Sequence, residues 1–295
     1  MKEGAILKDE VLAYLNIKKN GFYIDATAGY GYLSEAILGM LDANGKLLMI
    51  DADEDVCEHL GQKEIFRDSR VMIENGSYTD IPSITARLRL GKAEGALFDF
   101  GIGTYQINSG RGFSFFKDEP LDMRYSRKNT LLAREVINTY PEEKIADIIY
   151  RFGEERDSRK IARSIIRARE RQSIETTGRL SGIVCAAKKA GRNSSRRRRH
   201  PATKTFQALR IFVNGEMENV SSVFGFLPDV MASSGRAVFL SYHSIEDRIV
   251  KNALVKLEKG AAVKILTKKP VLAGSIERLK QPRASSAKLR AAEFL

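Results

Sequence analysis

The pattern of apolar and polar positions changes along the chain, and the change predicts two kinds of structure. Through the first part, short apolar runs alternate with segments whose apolar positions recur every three or four residues. Such alternation is typical of a parallel α/β sheet covered by helices. The predicted strands span residues 22–24, 46–50, 70–74 and 96–100, with helices expected at residues 8–15, 54–63 and 80–88.

The alternation stops in the middle of the chain. Between residues 130 and 191, successive segments place apolar residues at helical spacing. The alternation then returns, with helices predicted at residues 203–213, 216–231 and 245–257 and strands at residues 235–240 and 263–266. We therefore predict an α/β sheet interrupted by an all-helical insertion domain. The predicted divisions are residues 1–108 and 205–295 for the sheet and residues 109–204 for the insertion.

Charge is distributed unevenly between these parts. The 295-residue chain holds 49 Lys and Arg against 37 Asp and Glu, and residues 109–204 contain 24 of the former and 12 of the latter. The net charge of +12 therefore lies in the insertion. A basic insertion on a neutral body indicates a polyanionic partner such as RNA, with a solvated helical face as the alternative. The candidates for sequence-independent phosphate contacts are Lys188, Lys189, Arg196, Arg197, Arg198 and Arg199.

The composition disfavours several classes of protein. Cys57 and Cys185 are far apart and form no C-x-x-C motif, which argues against a zinc site and favours a reducing compartment. The chain has no apolar run long enough to span a bilayer, and its first ten residues lack the apolar core of a signal peptide. We expect a cytoplasmic protein without a bound metal or a membrane partner.

A glycine turn after the first predicted strand is the first candidate ligand site. Gly29 and Gly31 break the chain there, and Ser34 is the predicted N-cap of the helix that follows. Such a turn directs backbone N–H groups toward a ligand above the strand. Asp51 follows the second predicted strand, where an acidic residue binds ribose in nucleotide-binding α/β folds. The missing third glycine fits a methionine-derived nucleoside better than NAD, and a simple turn with a solvated Asp51 is the alternative.

Two more residues follow predicted strands. Tyr78 lies in the loop after the third strand, where its ring could stack on an adenine or pack against the protein. Asp99 lies near the carboxyl end of the fourth strand, the edge at which ligands bind in open α/β sheets. Because an unpartnered buried carboxylate is costly, Asp99 is predicted to have a function.

Several motifs together resemble one known family. The chain is similar to the ribosomal RNA small subunit methyltransferase H family, whose members use S-adenosylmethionine to methylate the exocyclic N4 amine of a decoding-region cytosine in 16S rRNA. The matching motifs span nearly the whole chain in the family's order. They are DATAGYGYLSEAIL (residues 25–38), GRGFSF (110–115), PLDMR (120–124), YRFGEER (150–156), HPATKTFQALRIFVN (200–214), SYHSIEDRIVK (241–251) and PRASSAKLRAAE (282–293).

The resemblance implies a class I (Rossmann-like) methyltransferase sheet interrupted by a helical domain that helps to bind RNA. It also implies S-adenosylmethionine as the methyl donor and small ribosomal subunit RNA as the partner. A homodimer is a further possibility. Tyr32 and Leu33 stand where the family's turn usually carries a second glycine and a histidine. The positions implied or predicted to bind the donor are Gly29, Gly31, Tyr32, Leu33, Asp51, Tyr78, Asp99 and Gln106.

The implied reaction uses a poor nucleophile, because the lone pair of the cytosine amine is delocalised into the ring. The amine must be held in line with the methyl group, and an acceptor must take up its growing positive charge. Asp99 is the predicted acceptor or orients the amino end of the donor. Thr104 or Gln106 is the predicted second acceptor.

His243 and three aromatic residues have two interpretations each. His243 follows a predicted strand end, where it is either a general base or a histidine satisfied by the cap of the next helix. The target base must be extruded or already unpaired, and an aromatic side chain could stack on it. The candidates for that stacking, which could instead be core residues, are Tyr105, Phe113 and Phe115.

Two other functions remain open at this stage. The family usually carries Val-Ser-Ser-Pro in the loop after Asp99, where this chain has residues 102–105, Ile-Gly-Thr-Tyr. A family member that lost catalysis through Leu33 and this altered loop would still dock on the small ribosomal subunit as a binding module. A nicotinamide-dependent oxidoreductase is suggested by the glycine turn with Asp51, but the missing third glycine and the basic insertion count against it. Binding of S-adenosylmethionine or of NAD separates these alternatives.

Overall fold

The four strands predicted in the first part of the chain lie side by side in one sheet. The protein is described by a computed structural model that covers residues 4–189 and 200–295. The strands are β1 (Phe22–Asp25), β2 (Lys46–Asp51), β3 (Val71–Asn75), β4 (Ala93–Asp99), β5 (Met231–Ser241), β6 (Val263–Ile265), β7 (Val271–Leu272) and β8 (Lys288–Phe294). Over the residues described, they form an eight-stranded sheet in the order β3-β2-β1-β4-β5-β8-β6, with β7 paired to β8.

Strands β1 to β5 are parallel, and β8 runs antiparallel to β5, β6 and β7. This order confirms the predicted Rossmann-like sheet. The strand predicted near residue 263 is not the last one, because β7 and β8 follow it. Lys288 and Arg290 obscure β8 in the sequence, since a strand with two cations does not look like an inner strand. In the fold both cations pair with Asp247, at 3.1 and 2.6 Å.

The chain divides into two compact units. The sheet unit contains residues 4–101 and 217–295, and the helical unit contains residues 102–189 and 200–216. The helices are α1 (Lys8–Leu15), α2 (Tyr32–Leu38), α3 (Glu54–Gln62), α4 (Ile81–Arg87), α5 (Thr104–Ile107), α6 (Ala133–Thr139), α7 (Glu142–Gly153), α8 (Ser158–Arg169), α9 (Thr177–Lys189), α10 (Thr203–Asn214), α11 (Glu216–Val230), α12 (Ser244–Lys259) and α13 (Ser275–Lys280).

The sheet unit buries apolar side chains on both faces of the sheet. Ile24, Leu48 and Phe98 share one core cluster with Phe224 of α11 and Leu254 of α12. Strand side chains alternate between faces, so the buried residues between them belong to the other face. Burial on both faces explains why these strands appear in the sequence as continuous apolar runs.

The helical unit has a core of its own. Its apolar positions include one residue from each of five helices: Ile137, Ile149, Ile165, Val184 and Leu209. Because α10 contributes to this core, the helical unit extends to residue 216, beyond the boundary at 204 expected from the sequence. It also begins at residue 102 rather than at 109. None of the helices in the described part of the chain has the length and apolar character needed to cross a membrane.

Candidate active site

The parallel strands of the sheet unit end at one edge, and three neighbouring strands end in an aspartate. Asp25, Asp51 and Asp99 are the last residues of β1, β2 and β4. Strand β5 ends at Ser241, and Tyr242 follows it. The carboxyl edge of a parallel sheet is where ligands bind. The fold therefore brings Asp51 and Asp99, both predicted site residues, to the same edge as Asp25.

The glycine turn after β1 is closed by its own hydrogen bonds. Gly29 and Gly31 have φ angles of 51° and 80°, a left-handed conformation that glycine adopts without steric cost. The amide of Gly29 donates to the Asp51 carboxylate (2.9 Å), and the amide of Gly31 donates to the carbonyl of Ala28 (2.8 Å). The expectation that these two amides point at a ligand is therefore corrected: they shape the turn and orient Asp51.

Tyr32 and Leu33 begin α2, and they differ in exposure. Leu33 is buried, whereas Tyr32 is 37% exposed and its ring centroid lies 5.5 Å from Nζ of Lys63. Lys63 also donates to the carbonyl of Tyr30 (2.6 Å), which ties α3 to the turn. A ligand can thus contact the side chain of Tyr32 but not that of Leu33. Their roles in donor binding stay predictions.

Asp25 is a buried carboxyl group that the sequence analysis missed. Ser34, the predicted N-cap, lies inside α2 after the true N-cap Gly31, so that prediction is wrong. Its hydroxyl instead donates to Asp25 (2.5 Å), as does the amide of Thr27 (3.2 Å). Burial raises the pKa of Asp25 to about 7, although these two hydrogen bonds lower it. The available signal was an aspartate ending an apolar strand, the argument already applied to Asp99.

Asp51 is oriented from both sides. One carboxylate oxygen accepts from the amide of Gly29, and the other accepts from the amide of Asp53 (3.0 Å). Asp53 is itself the N-cap of α3, where it accepts from the amide of Asp55 (3.2 Å). The carboxylate predicted to bind ribose is therefore held in place by the backbone that follows β1 and β2.

Asp99 is held by groups from two other strand ends. Its amide donates to the hydroxyl of Thr27 (2.6 Å), and its carboxylate accepts from the phenol of Tyr242 (2.7 Å). Burial raises the pKa of Asp99 to about 6, and the charge of Glu246 acts in the same direction. The hydrogen bond from Tyr242 and the charge of Arg283 lower it. Asp99 thus loses its proton close to neutral pH, as a general base should.

Tyr242 and Arg283 are further site residues that the sequence analysis missed. Burial, together with the neighbouring Asp99, raises the pKa of Tyr242 well above its usual value, so its phenol stays a hydrogen-bond donor. The guanidinium of Arg283 lies 5.6 Å from the centroid of the Tyr242 ring. The available signal was that each residue belongs to a motif of the resemblance, at residues 241–251 and 282–293. Neither motif indicated that Arg283 lies near Tyr242, which precedes it by forty-one positions.

His243 lies at the N-cap of α12. Its Nδ1 accepts from the amide of Glu246 (3.4 Å), and its Nε2 lies 2.9 Å from a carboxylate oxygen of the same residue. The other oxygen of Glu246 accepts from the amide of Tyr242 (2.9 Å). Both ring nitrogens of His243 therefore face Glu246. The contact at Nδ1 favours the capping interpretation, whereas Nε2 is buried and makes no hydrogen bond to the described residues. The role of His243 as a general base stays a prediction.

Tyr78 packs edge-on against two aromatic rings of the sheet unit. Its ring centroid lies 6.2 Å from that of Phe98 and 5.7 Å from that of Phe100. It is partly buried at the margin of the core cluster around β4. Packing therefore accounts for part of this side chain, and its contact with an adenine stays a prediction.

The second predicted acceptors belong to the helical unit. Thr104 and Gln106 lie on α5, and Gln106 is 5% exposed. Phe113 stacks on Tyr125, with ring centroids 5.4 Å apart and planes 12° from parallel. Tyr105, on α5, is half-buried. Phe113 thus has a protein partner on one face, and the roles of α5 residues toward ligand or RNA stay predictions.

The predicted phosphate contacts are only partly visible. Lys188 forms an ion pair with Glu155 and donates to the carbonyl of Pro201 (3.2 Å), and its side chain is only 12% exposed. The prediction that Lys188 contacts phosphate is therefore corrected, because its charge is already neutralised inside the helical unit. The other predicted contacts lie outside the described side chains: Lys189, Arg196, Arg197, Arg198 and Arg199.

Comparison with known proteins identifies a family and close relatives by sequence. A family model described as the MraW methylase family matches residues 1–295. The chain is 41% identical over 291 residues to ribosomal RNA small subunit methyltransferase H of Kosmotoga olearia, covering 98% of this chain and 96% of that protein. It is 41% identical over 290 residues to the protein of that name from Fervidobacterium nodosum, with the same coverage of both. An rRNA methylase structure from Streptococcus thermophilus superposes with a TM-score of 0.45 and 9% identity, over 98% of this chain and 93% of that one.

Proposed function

The chain belongs to the MraW methylase family, and we propose that it transfers a methyl group from S-adenosylmethionine to the exocyclic N4 amine of a decoding-region cytosine in 16S rRNA. The observation that carries this proposal is the half-buried Asp99, which Tyr242 and Thr27 hold at the carboxyl edge of the sheet. Relatives 41% identical to this chain are named ribosomal RNA small subunit methyltransferase H, which supports the small-subunit RNA as substrate.

The residues at this edge fit the proposed donor. S-adenosylmethionine carries a sulfonium and an ammonium group, and two partly exposed carboxyl groups, those of Asp51 and Asp99, lie at the ends of β2 and β4. Asp51 is oriented to accept hydrogen bonds from ribose hydroxyls. A dinucleotide fits poorly, because its phosphates need backbone amides, and the turn uses those of Gly29 and Gly31 internally. When bound, S-adenosylmethionine supplies an electrophilic methyl group.

Asp99 is the proposed proton acceptor. As an ionised carboxylate it accepts an N–H of the cytosine amine, which turns the nitrogen lone pair away from ring delocalisation and toward the methyl carbon. It then takes the proton as the carbon–nitrogen bond forms and the carbon–sulfur bond breaks. Tyr242 orients Asp99 for this step through one carboxylate oxygen. Asp99 is preferred to His243 because both ring nitrogens of His243 face Glu246.

The first experiment measures methyl transfer from labelled S-adenosylmethionine to small ribosomal subunits that lack the modification, followed by mass mapping of the labelled nucleotide. We expect label on the exocyclic amine of one cytosine. Subunits that already carry the modification are the control and should take up none. Transfer would show that the family's second glycine and histidine, here Tyr32 and Leu33, are dispensable.

Two other outcomes of this experiment would contradict the proposal in different ways. Label on another position or on another RNA would keep methyl transfer and change the substrate. No label together with no binding of S-adenosylmethionine, measured by calorimetry, would favour a binding module that docks on the subunit without catalysis.

Replacing Tyr242 with phenylalanine should change the pH dependence of methyl transfer. Asp99 acts in its ionised form, so kcat/KM should fall as pH drops through the Asp99 pKa of about 6. The phenol of Tyr242 lowers that pKa by stabilising the carboxylate. Without the phenol, the apparent pKa on the acidic side of the pH profile of kcat/KM should rise by about one unit, because a hydrogen bond to a charged group contributes about 1.5 kcal/mol. We call this part of the profile the acidic limb. The pH profile of kcat/KM measures this directly.

Tyr23→Phe is the matched control for Tyr242→Phe. The phenol of Tyr23 is also buried and accepts from the amide of Lys18 (2.7 Å), but it does not contact Asp99. This control should leave the acidic limb where it is. An unchanged limb in Tyr242→Phe, with lower activity at all pH values, would assign Tyr242 a purely structural role.

A further inference from the structure

The helical unit carries a row of three adjacent rings that ends at the surface, in which Phe115 stacks on His200 and is tilted by 41° from Phe116. The ring centroids of Phe115 and Phe116 are 4.9 Å apart, and those of Phe115 and His200 are 4.5 Å apart with planes 20° from parallel. Phe116 is 84% exposed, and His200 is also exposed. We refer to Phe116, Phe115 and His200 as the aromatic row.

The loop that carries Phe115 and Phe116 is tied to the start of α9. The hydroxyl of Thr177 donates to the carbonyl of Lys117 (2.8 Å) and accepts from the amide of Glu119 (3.0 Å). The amide of Gly178 donates to the carboxylate of Asp118 (2.8 Å), and the amide of Gly112 donates to the carboxylate of Glu119 (3.0 Å). Hydrogen bonds on both sides of Phe116 therefore fix the backbone that presents its ring.

The other two rings are anchored as well. Phe115 packs edge-on against Phe206 of α10, with centroids 5.1 Å apart. Nδ1 of His200 accepts from the amide of Ala202 (3.3 Å), and its Nε2 lies 3.8 Å from Sγ of Cys185 on α9. A preorganised ring loses little conformational entropy when a ligand stacks on it, which is how aromatic residues anchor interfaces.

The charge of the segment that contains the aromatic row indicates which ligand it fits. Residues 109–204, which contain the row, hold twice as many basic as acidic residues. In the sequence, four arginines directly precede His200. Exposed aromatic rings combined with basic residues are the two elements of single-stranded nucleic-acid binding: the cations attract phosphates and the rings stack on bases. An apolar protein partner would not need this charge.

We propose that the aromatic row is a stacking platform for an unpaired base of the RNA substrate, with Phe116 as the ring that contacts the base. The proposal depends on the proposed function only in taking RNA as the partner. It assigns to the helical unit a base contact in addition to phosphate contacts. Stacking on a ring tolerates any base, so this contact distinguishes unpaired from paired RNA rather than one sequence from another.

The test measures binding of the full-length protein to a fluorescein-labelled single-stranded oligocytidine RNA by fluorescence anisotropy at fixed salt. Phe116→Ala should weaken binding by about five- to a hundredfold, the range for loss of one base–aromatic stack. Phe116→Trp should restore binding, whereas Phe116→Leu, which is apolar but lacks a π face, should not. Leu279→Ala is the matched control, because Leu279 on α13 is also 84% exposed but is not part of the row.

A second readout reports stacking itself. A 2-aminopurine base placed in the same RNA should lose fluorescence on binding to the wild type and to Phe116→Trp, but less with Phe116→Leu. Equal affinity of wild type, Phe116→Ala and Phe116→Leu would overturn the proposal. So would equal losses in Phe116→Ala and Leu279→Ala, which would indicate a general apolar effect.

Failure of the platform and failure of the proposed function are distinguishable. Methyl transfer to the small subunit by the wild type, together with unchanged RNA affinity in Phe116→Ala, would reject only the platform. A wild type that binds the oligocytidine with the expected dependence on Phe116, but transfers no methyl group, would keep the platform and reject the catalytic assignment. Absence of oligocytidine binding by the wild type would reject the platform, whereas methyl transfer to the small subunit decides the proposed function separately.

Discussion

Replacing Asp99 with asparagine should lower the rate of methyl transfer by about 10²- to 10⁴-fold, the usual contribution of a positioned general base. Asparagine keeps the size of the side chain and can still accept the hydrogen bond from Tyr242, so the fold of the edge should survive. It cannot take a proton. The expected result is therefore a large loss of rate with nearly unchanged binding of S-adenosylmethionine, measured by single-turnover kinetics and by calorimetry.

The matched control is Asp68→Asn. Asp68 is a half-buried carboxylate that pairs with Arg70 (2.7 Å) before the start of β3, away from the carboxyl edge of the sheet, and it undergoes the same chemical change. Its replacement should leave the rate within about twofold, because neither Asp68 nor its partner Arg70 is among the residues at that edge. If Asp99→Asn retained a rate within a few fold of wild type, Asp99 would not be the proton acceptor. If it instead lost donor binding, Asp99 would orient the donor, the other role predicted from the sequence.

Replacing Gly31 with alanine should destabilise the sheet unit much more than the same change at Gly29. Both residues have positive φ, which costs alanine about 1–2 kcal/mol. Only at Gly31 would the new Cβ collide with the protein, at 2.6 Å from the ring of Phe66 and 2.9 Å from Leu60. Overpacking adds about 1–3 kcal/mol. The free energy of unfolding should therefore fall by about 3 kcal/mol for Gly31→Ala and about 1 kcal/mol for Gly29→Ala.

Urea denaturation followed by circular dichroism measures both values. At Gly29 the nearest atom to a new Cβ would be the carbonyl oxygen of Thr27 at 3.9 Å, so no collision occurs. The loss of stability in Gly29→Ala therefore measures only the cost of a positive φ angle for alanine. Equal losses in the two variants would mean that Phe66 and Leu60 move aside without cost. In that case the close approach of the turn to α3 would not explain why glycine is required at position 31.

The local pattern of the sequence was sufficient for strands β1 to β6 and for two acidic residues of the sheet. The runs that became β1, β2 and β4 are apolar because both faces of these strands are covered, so each run reports its own burial. Asp51 and Asp99 were recognisable because each follows such a run, and parallel strands end at the same edge. The family and its S-adenosylmethionine chemistry were recognisable from motifs spread over nearly the whole chain.

The partners of these residues were not recognisable in the same way. The phenol that holds Asp99 comes from Tyr242, 143 residues away, and Ser34 contacts Asp25 instead of capping its helix. Lys188 was predicted to contact phosphate, but in the fold it forms an ion pair with Glu155. The periodicity of apolar residues indicates only which positions of a helix or strand are buried. It contains no information about which distant group will form a hydrogen bond or an ion pair with a polar side chain.

The sequence by itself thus determined the Rossmann-like class, the helical insertion, the excess of basic charge in that insertion and the candidate acids Asp51 and Asp99. Only the tertiary structure decided that β8 enters the sheet antiparallel between β5 and β6, that Asp25 is buried, and that Tyr242 donates to Asp99, whose pKa is raised by burial and lowered by this hydrogen bond. The physical reason is that hydrophobic burial is encoded locally by the spacing of apolar residues. Hydrogen bonds and ion pairs instead depend on which strand ends and helix faces the packing brings within about 3 Å of one another.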